Sequence, residues 1–412
     1  MSIIAKGMNE LSKDEVLIIG IGQGGCMLAE RLYSKGYTCL FINSATGDLG
    51  SLYEVEKKHI IHYKDGSGAG QDRRIGRAYA QQDIQRIYDK IDKQYNSAKY
   101  VFVAFSGAGG TGSGGGTYTI EALHQRYNPE REGKEEEIPS LQDRYIGAIM
   151  ILPSKKDGIT LEGYKNAIEC YTELENLVKA KKVNAVMLAD NDMMDSWEIN
   201  EAFAEDFDSL ITLPDRAKAT GRSIDGNDLI RSLKGHGYLH VSSYTLPAEN
   251  DKDINHISAS PYMPMFTKAS GHALLATVNI EEEASGAPME NIKKYYTPPQ
   301  TVCKMGTVMG TAFVDDEEVE IEANKAFAFG LPMPQSVKTK LEKFYNEDVE
   351  LIEQNSDTEE EVEVTLKEIK VEPTKPTRKE IVSLLEAEKT PAPPKKKLSQ
   401  REMILMRMKN KK

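Results

Sequence analysis

The stretch Ser106–Thr117 reads SGAGGTGSGGGT, and seven of the ten residues from Gly107 to Gly116 are glycine. Glycine loses more backbone entropy on folding than any other residue, so such a cluster is costly. It serves either as a flexible linker or as a loop whose backbone approaches a ligand closely. The preceding KYVFVAFS (Lys99–Ser106) is a short apolar, β-branched and aromatic run, which predicts a buried strand. The following TYTIEALHQRY (Thr117–Tyr127) has helical spacing through Tyr118, Leu123 and Tyr127. A linker joins domains, whereas this segment joins a strand directly to a helix. That arrangement aims free N–H groups and the positive end of a helix dipole at an anion, and it predicts a phosphate-binding loop.

The surrounding pattern predicts the scaffold. VLIIGIG (from Val16), TCLFIN (from Thr38), His59–Tyr63, Tyr100–Phe105, YIGAIMIL (from Tyr145) and VNAVMLA (from Val183) read as strands. Helical stretches separate most of them, including Arg73 to about Gln94 and Gly163–Lys181. Such alternation predicts a parallel sheet covered by helices, with ligands at the carboxyl ends of its strands. From Ser196 to about Leu213, Ile199, Phe203, Phe207 and Leu210 form a core-facing stripe of a long helix ended by Pro214 and Gly221. Beyond it, GYLHVSSYTL, HALLATVNI, TVCKMGTVMGTAFV and VEIEANKAFAFGL read as strands of a smaller α+β domain, closed by the helix SVKTKLEKFYNEDVELIE.

Two further glycine stretches stand at strand-to-helix junctions: GIGQGGC (Gly20–Cys26) and KDGSGAGQDRRIGRA (Lys64–Ala78). The first satisfies G-x-G-x-x-G, but a dinucleotide site needs an acid at the end of the second strand, where Asn43 stands. No G-x-x-x-x-G-K-[ST] occurs, which excludes a Walker P-loop. Three glycine loops on one sheet edge suffice to surround a triphosphate with backbone N–H groups and need no lysine.

These residues resemble the tubulin/FtsZ superfamily. GAGGTGSG (Gly107–Gly114) is similar to the tubulin signature loop GGGTGSG, and GIGQGGC to the superfamily's first phosphate loop. GSGAGQDRRIG matches the spacing of the third loop, GLGAGANPEVG in FtsZ. The resemblance spans about residues 15 to 352. It implies a GTPase that takes GTP/GDP with Mg²⁺. Its phosphate and ribose contacts would come from Gly22, Gln23, Gly24, Gly25, Cys26, Asn43, Gly68, Ala69, Gly70, Ser106, Gly107, Gly109, Gly110, Thr111, Gly112, Ser113, Gly114, Glu162 and Asn166. INEAF (Ile199–Phe203) resembles the tubulin segment DNEAL, which puts Asn200, with Phe203, at the base. SIDGNDLI contains Asp225 and Asp228 where the superfamily's N-x-D-x-x-[DE] loop reaches the nucleotide of the next subunit and acts on the attacking water. Read without the family, Asp-Gly-Asn-Asp also suits a turn and helix N-cap.

Several residues depart from FtsZ. Ser223 replaces the loop Asn, Asn166 the ribose Arg, and Asp48 the early acid of NTDAQAL. With the GGC ending and the tail, these resemble the plasmid- and phage-partitioning TubZ branch. The expected fold class is therefore α/β: a Rossmann-like GTPase domain (1–195), a long central helix and connection (196–222), a smaller activation domain (223–352) and a disordered tail (353–412). The implied function is a head-to-tail homopolymer that segregates plasmid or phage DNA. An FtsZ-like division filament and a non-polymerising nucleotide-binding regulator are the alternatives.

Net charge is −12 but uneven. Residues 353–372 hold eight acidic and two basic side chains, while 389–412 hold nine basic and one acidic. This composition predicts the disordered tail. Its basic end suits a DNA-bound adaptor protein, with direct contact to DNA or membrane as lesser alternatives. The N-terminus lacks the apolar core of a signal peptide and no run of eighteen apolar residues occurs, so a cytoplasmic location is expected. Cys26, Cys39, Cys170 and Cys303 show no paired spacing and predict neither a metal site nor disulfides. His236 and His240 are too far apart along a strand to share an ion. Trp197 is expected at the core or its rim.

Overall fold

A computed structural model describes residues 11–63, 67–128, 144–217, 223–245, 257–280, 288–314, 317–320 and 324–356. The expected tail (353–412) lies outside them beyond residue 356. The chain runs β1 (Val16–Ile21), α1 (Gly22–Ser34), β2 (Thr38–Asn43), α2 (Thr46–Gly50), β3 (Ile60–His62), α3 (Arg73–Gln94), β4 (Tyr100–Ser106), α4 (Gly110–Tyr127), β5 (Tyr145–Leu152), α5 (Leu161–Lys179) and β6 (Ala185–Asp190). It continues through α6 (Ser196–Ile211), α7 (Leu213–Arg216), α8 (Gly226–Leu233), β7 (Gly237–Tyr244), β8 (Ile257–Ala259), β9 (Ala273–Asn279) and α9 (Pro288–Tyr296). The remaining elements are β10 (Val302–Val308), β11 (Thr311–Val314), β12 (Glu317–Glu320), β13 (Lys325–Leu331) and α10 (Gln335–Ser356).

One sheet follows the order β10-β9-β13-β7-β6-β5-β4-β1-β2-β3, with β8 paired to β7. From β3 to β7 all neighbours are parallel. The order reverses at β1, between β2 and β4, and it is beside such a switch that a crevice opens at the carboxyl ends. Strand alternation divides the core. Leu17, Ile19 and Ile21 face a layer containing Ile87 and Ile91 of α3, Ile120 and Leu123 of α4, Tyr171 and Leu174 of α5, and Leu341 of α10. Val16 and Ile18 face Leu28 and Leu32 of α1, Phe203 and Phe207 of α6, and Leu229 and Leu233 of α8. Each such fully buried side chain contributes roughly 1.5–3 kcal/mol by leaving water.

Several expectations are corrected here. TVCKMGTVMGTAFV and VEIEANKAFAFGL each form two strands, and β11 pairs with β12 in a separate hairpin. Pro214 does not end the long helix. It opens α7, where its missing N–H costs nothing in a first turn. Trp197 is 55% exposed and takes no place in the core. Cys26, Cys39 and Cys170 are buried thiols, whereas Cys303 is exposed. Among the described residues no helix is long and apolar enough to cross a membrane.

Candidate nucleotide site

A cavity of about 310 Å³ opens at the switch point. Gly22, Gln23 and Gly24 of α1 line it, with Asn43, Ser44, Ala45 and Asp48 after β2. Gly68, Ala69, Gly70 and Gln71 before α3 and Ser106, Gly109, Gly110, Thr111 and Gly112 around the start of α4 complete it. The local sequence explains the geometry. Gly22 sits at φ +73°, and a Cβ there would meet the Gly112 nitrogen at 2.9 Å. Only glycine lets the first turns of α1 and α4 lie side by side.

Neither turn is capped by a side chain, and neither carries an acidic residue. The helices flanking them differ. The Asp72 carboxylate accepts from the Arg74 N–H at α3, and Thr160 Oγ1 accepts from the Gly163 N–H at α5. The free N–H groups and positive dipole ends thus converge where a phosphate chain would sit.

The loops are tied to one another. Ser44 Oγ and Thr111 Oγ1 lie 2.6 Å apart. Asn43 Oδ1 accepts from the Ser44 N–H at 2.7 Å while its Nδ2 donates to Asp48 Oδ2 at 2.9 Å, so Asn43 shapes the loop and orients the one carboxylate among the described lining residues. Asn166 is buried and donates from Nδ2 to the Gln71 carbonyl at 2.6 Å and the Ala108 carbonyl at 3.2 Å. It braces two loops and does not line the cavity. Behind α4, Arg73 donates to Glu173 at 2.8 Å and Thr117 donates to the same carboxylate at 2.7 Å. Burial alone would raise that carboxyl, yet these two hydrogen bonds hold it below its ordinary value.

Other expected site residues take structural places. A Cβ on Gly25 would stand 2.2 Å from the Ala104 carbonyl, and one on Gly114 would stand 1.9 Å from the Arg73 carbonyl. Those glycines pack α1 on β4 and α4 on α3. Gly107 donates to the Ile151 carbonyl at 2.9 Å, joining β4 to β5. Ser113 turns its hydroxyl to the Gly109 carbonyl. The Cys26 thiol points to the Gly20 and Ile42 carbonyls, and burial pushes it up to about 12, so it stays protonated. Glu162 is exposed on α5, 4.0 Å from Lys165. Phe203 is fully buried, stacked on Phe207 and packed against Tyr262, with no face left for a base. Asn200, one turn earlier, is 6% exposed, and its amide makes no hydrogen bond to any described residue. Ser44, Ala45 and Gln71 were not anticipated, although Ser44 and Ala45 follow β2 at the edge where ligands sit.

Asp225 and Asp228 lie on a different element. Asp225 is the N-cap of α8 and forms a reciprocal capping box with Asp228. Asp225 Oδ1 accepts from the Asp228 N–H at 2.9 Å, and Asp228 Oδ2 accepts from the Asp225 N–H at 3.1 Å. Asp225 is exposed, whereas Asp228 is 4% exposed and pairs with Lys304 Nζ at 2.6 Å. Among the described residues no group of three or more His, Cys, Asp or Glu is placed to hold a metal.

A parallel sheet with an anion-receptive glycine cradle at its switch point defines a nucleotide-binding α/β protein. Residues 15–197 match the Tubulin/FtsZ family, GTPase domain. The chain is 26% identical over 245 residues to the tubulin-like protein TubZ of Clostridium botulinum C phage (59% of this chain, 62% of that protein). It is also 26% identical over 257 residues to the tubulin-like protein CetZ of Pyrococcus abyssi (58% and 64%). The matched region thus spans less than two thirds of either relative. The crystal structure of Clostridium botulinum phage c-st TubZ superposes with a TM-score of 0.63 at 18% identity, over 82% of this chain and 100% of that one. A GTPγS-form protofilament of Bacillus thuringiensis serovar israelensis TubZ gives 0.64 at 15%, over 84% and 95%. The fold is tubulin-like.

Proposed function

We propose that this chain binds GTP in the glycine cradle and hydrolyses it within a head-to-tail homopolymer. The carrying observation is the pair of uncapped, acid-free first turns of α1 and α4 converging on one cavity. Phosphate oxygens would accept from those N–H groups and from the Ser44 and Thr111 hydroxyls, and the Asn200 amide would meet the base. The likeness to a TubZ protofilament supports the polymer. In it the N-terminal end of α8, with Asp225 exposed and Asp228 buried behind it, faces the neighbour's nucleotide and orients the attacking water, so hydrolysis requires assembly.

The oxygens present fit Mg²⁺, which keeps several waters and binds through one or two carboxylates plus phosphates. Asp48, with the Ser44 and Thr111 hydroxyls nearby, would hold it, and it would neutralise charge on the phosphates. We further assign residues 1–195 to nucleotide binding, 223–352 to activation of the neighbour's site, and the basic tail end to a DNA-bound adaptor, so that filaments segregate plasmid or phage DNA in the cytoplasm.

The capping box favours a second reading, in which Asp225 and Asp228 only start α8 and the protein never polymerises. One experiment separates the two. Purified protein is mixed with Mg²⁺ and GTP, and light scattering and phosphate release are followed against protein concentration. The polymer reading expects scattering above a threshold concentration, with turnover rising steeply there. Turnover linear in concentration without scattering supports the regulator instead.

A further inference from the structure

Lys304 of β10 is far in sequence from the Asp225–Asp228 loop, yet its Nζ donates to Asp228 Oδ2 at 2.6 Å. The two partners differ in environment: the Asp228 side chain is 6% exposed and that of Lys304 is 45% exposed. The cap supplies Asp228 with one neutral N–H donor, whereas among the described residues it is Lys304 that brings a compensating charge to this buried carboxylate. An eight-residue helix such as α8 is marginal in isolation and depends on its cap and its tertiary contacts. The ion pair therefore ties that turn to the sheet, and through the reciprocal cap it also sets the exposed Asp225.

We propose that Lys304 is a positioning residue of the inter-subunit site, acting through Asp228 to hold both carboxylates in the geometry that orients water at the neighbour's nucleotide. This rests on the polymerising-GTPase reading above. A residue that acts through Asp228 leaves GTP binding and filament contacts largely intact and changes the rate at which assembled subunits turn over.

The test uses full-length protein with K304M, K304R, D228N and D228N/K304M. Binding of a fluorescent GTP analogue is measured below the assembly threshold, filaments are quantified by sedimentation, and phosphate release is expressed per sedimented subunit. For K304M the expectation is an affinity within about threefold of wild type and release per assembled subunit lower by about tenfold or more, with K304R recovering most of it. Because Lys304 acts through Asp228, adding K304M to D228N should change the rate by less than about twofold. K304M turning over at the wild-type rate per assembled subunit overturns the proposal, as does a further tenfold loss in the double variant. If K304M alone fails to fold, D228N against D228N/K304M still decides, since neither leaves an uncompensated buried carboxylate. Wild-type protein that neither assembles nor turns over GTP removes the underlying reading as well. Active wild type matched by K304M removes this inference alone.

Discussion

Ser44 and Thr111 hold their side-chain oxygens 2.6 Å apart across 67 residues of sequence, joining the loop after β2 to the first turn of α4. Both residues are buried and both line the cavity. Replacing Thr111 by Val keeps the shape but strips the hydrogen bond and one potential phosphate donor. Loss of a hydrogen bond to a charged ligand costs about 1.5–3 kcal/mol, so GTP affinity should fall about tenfold or more in T111V. Because the two hydroxyls act as one unit, S44A/T111V should lose little beyond the worse single variant. Titration calorimetry with GTP reads both quantities, and fully additive losses would show that the hydroxyls act separately.

The glycine run serves two purposes, and substitutions separate them. Gly109 has ordinary extended backbone, and an added Cβ meets nothing within 4 Å. G109A should therefore keep its Tm within about 2 °C of wild type while changing nucleotide affinity, because a methyl then stands at the rim of the cradle. At Gly114 the Cβ would stand 1.9 Å from the Arg73 carbonyl, so α3 and α4 must separate. Overpacking of that kind costs about 1–3 kcal/mol, and G114A should lower Tm by several degrees. Thermal melts with and without GTP distinguish the two classes. A stable G114A would show that the helices part freely.

Much of this was legible in the chain. Hydrophobic alternation predicted the parallel strands and their crossover helices, and three glycine stretches at strand-to-helix junctions predicted the sheet edge at which the cavity opens. What could not be read was which side of a contact each residue takes. Phe203 carried two expectations, a base contact through INEAF and a place in the core-facing stripe, and it packs in the core on Phe207. Asn166 looked like a ligand contact because of its position, yet its amide is consumed by two carbonyls. Asp225 and Asp228 have a spacing that suits catalysis and capping equally, and the capping box that the subunit forms is compatible with both. Lys304 was invisible because its partner lies 76 residues away.

His240 supplies a pH dependence. It is fully buried, its Nδ1 lies 2.8 Å from the Tyr296 hydroxyl, and burial lowers it from 6.5 to about 3. Its ring neighbours are Tyr238, Phe266 and Tyr296, which offer no charge to stabilise an imidazolium. Between those two values the unfolded chain binds a proton that the folded chain refuses. The stability contribution is therefore complete above about pH 6.5 and is lost as pH falls toward 3, by up to about 1.4 kcal/mol per pH unit. H240Q removes this titration, so its Tm should fall less than that of wild type between pH 6.5 and 4. Scanning calorimetry across that range checks it, and parallel curves would show that His240 does not titrate in this window.

Asp206 of α6 accepts from Lys325 Nζ at 2.5 Å, Ser260 Oγ at 2.5 Å and Tyr262 Oη at 2.8 Å. The Asp206 and Lys325 side chains are each 7% exposed, so the central helix is joined to β13 and to the segment after β8 by a buried ionic cluster. Removing one member of such a pair strands a buried charge and costs about 3–5 kcal/mol, far more than the net worth of the pair. K325M should therefore lower the urea midpoint strongly. The double variant D206N/K325M removes both charges while keeping an oxygen to accept from Ser260 and Tyr262. It should be more stable than K325M alone although it carries one more substitution. Urea unfolding of the three proteins decides the matter. A double variant weaker than K325M would mean that Asp206 matters chiefly as a charged hydrogen-bond acceptor for the two hydroxyls, and that its carboxylate does not depend on the lysine for compensation.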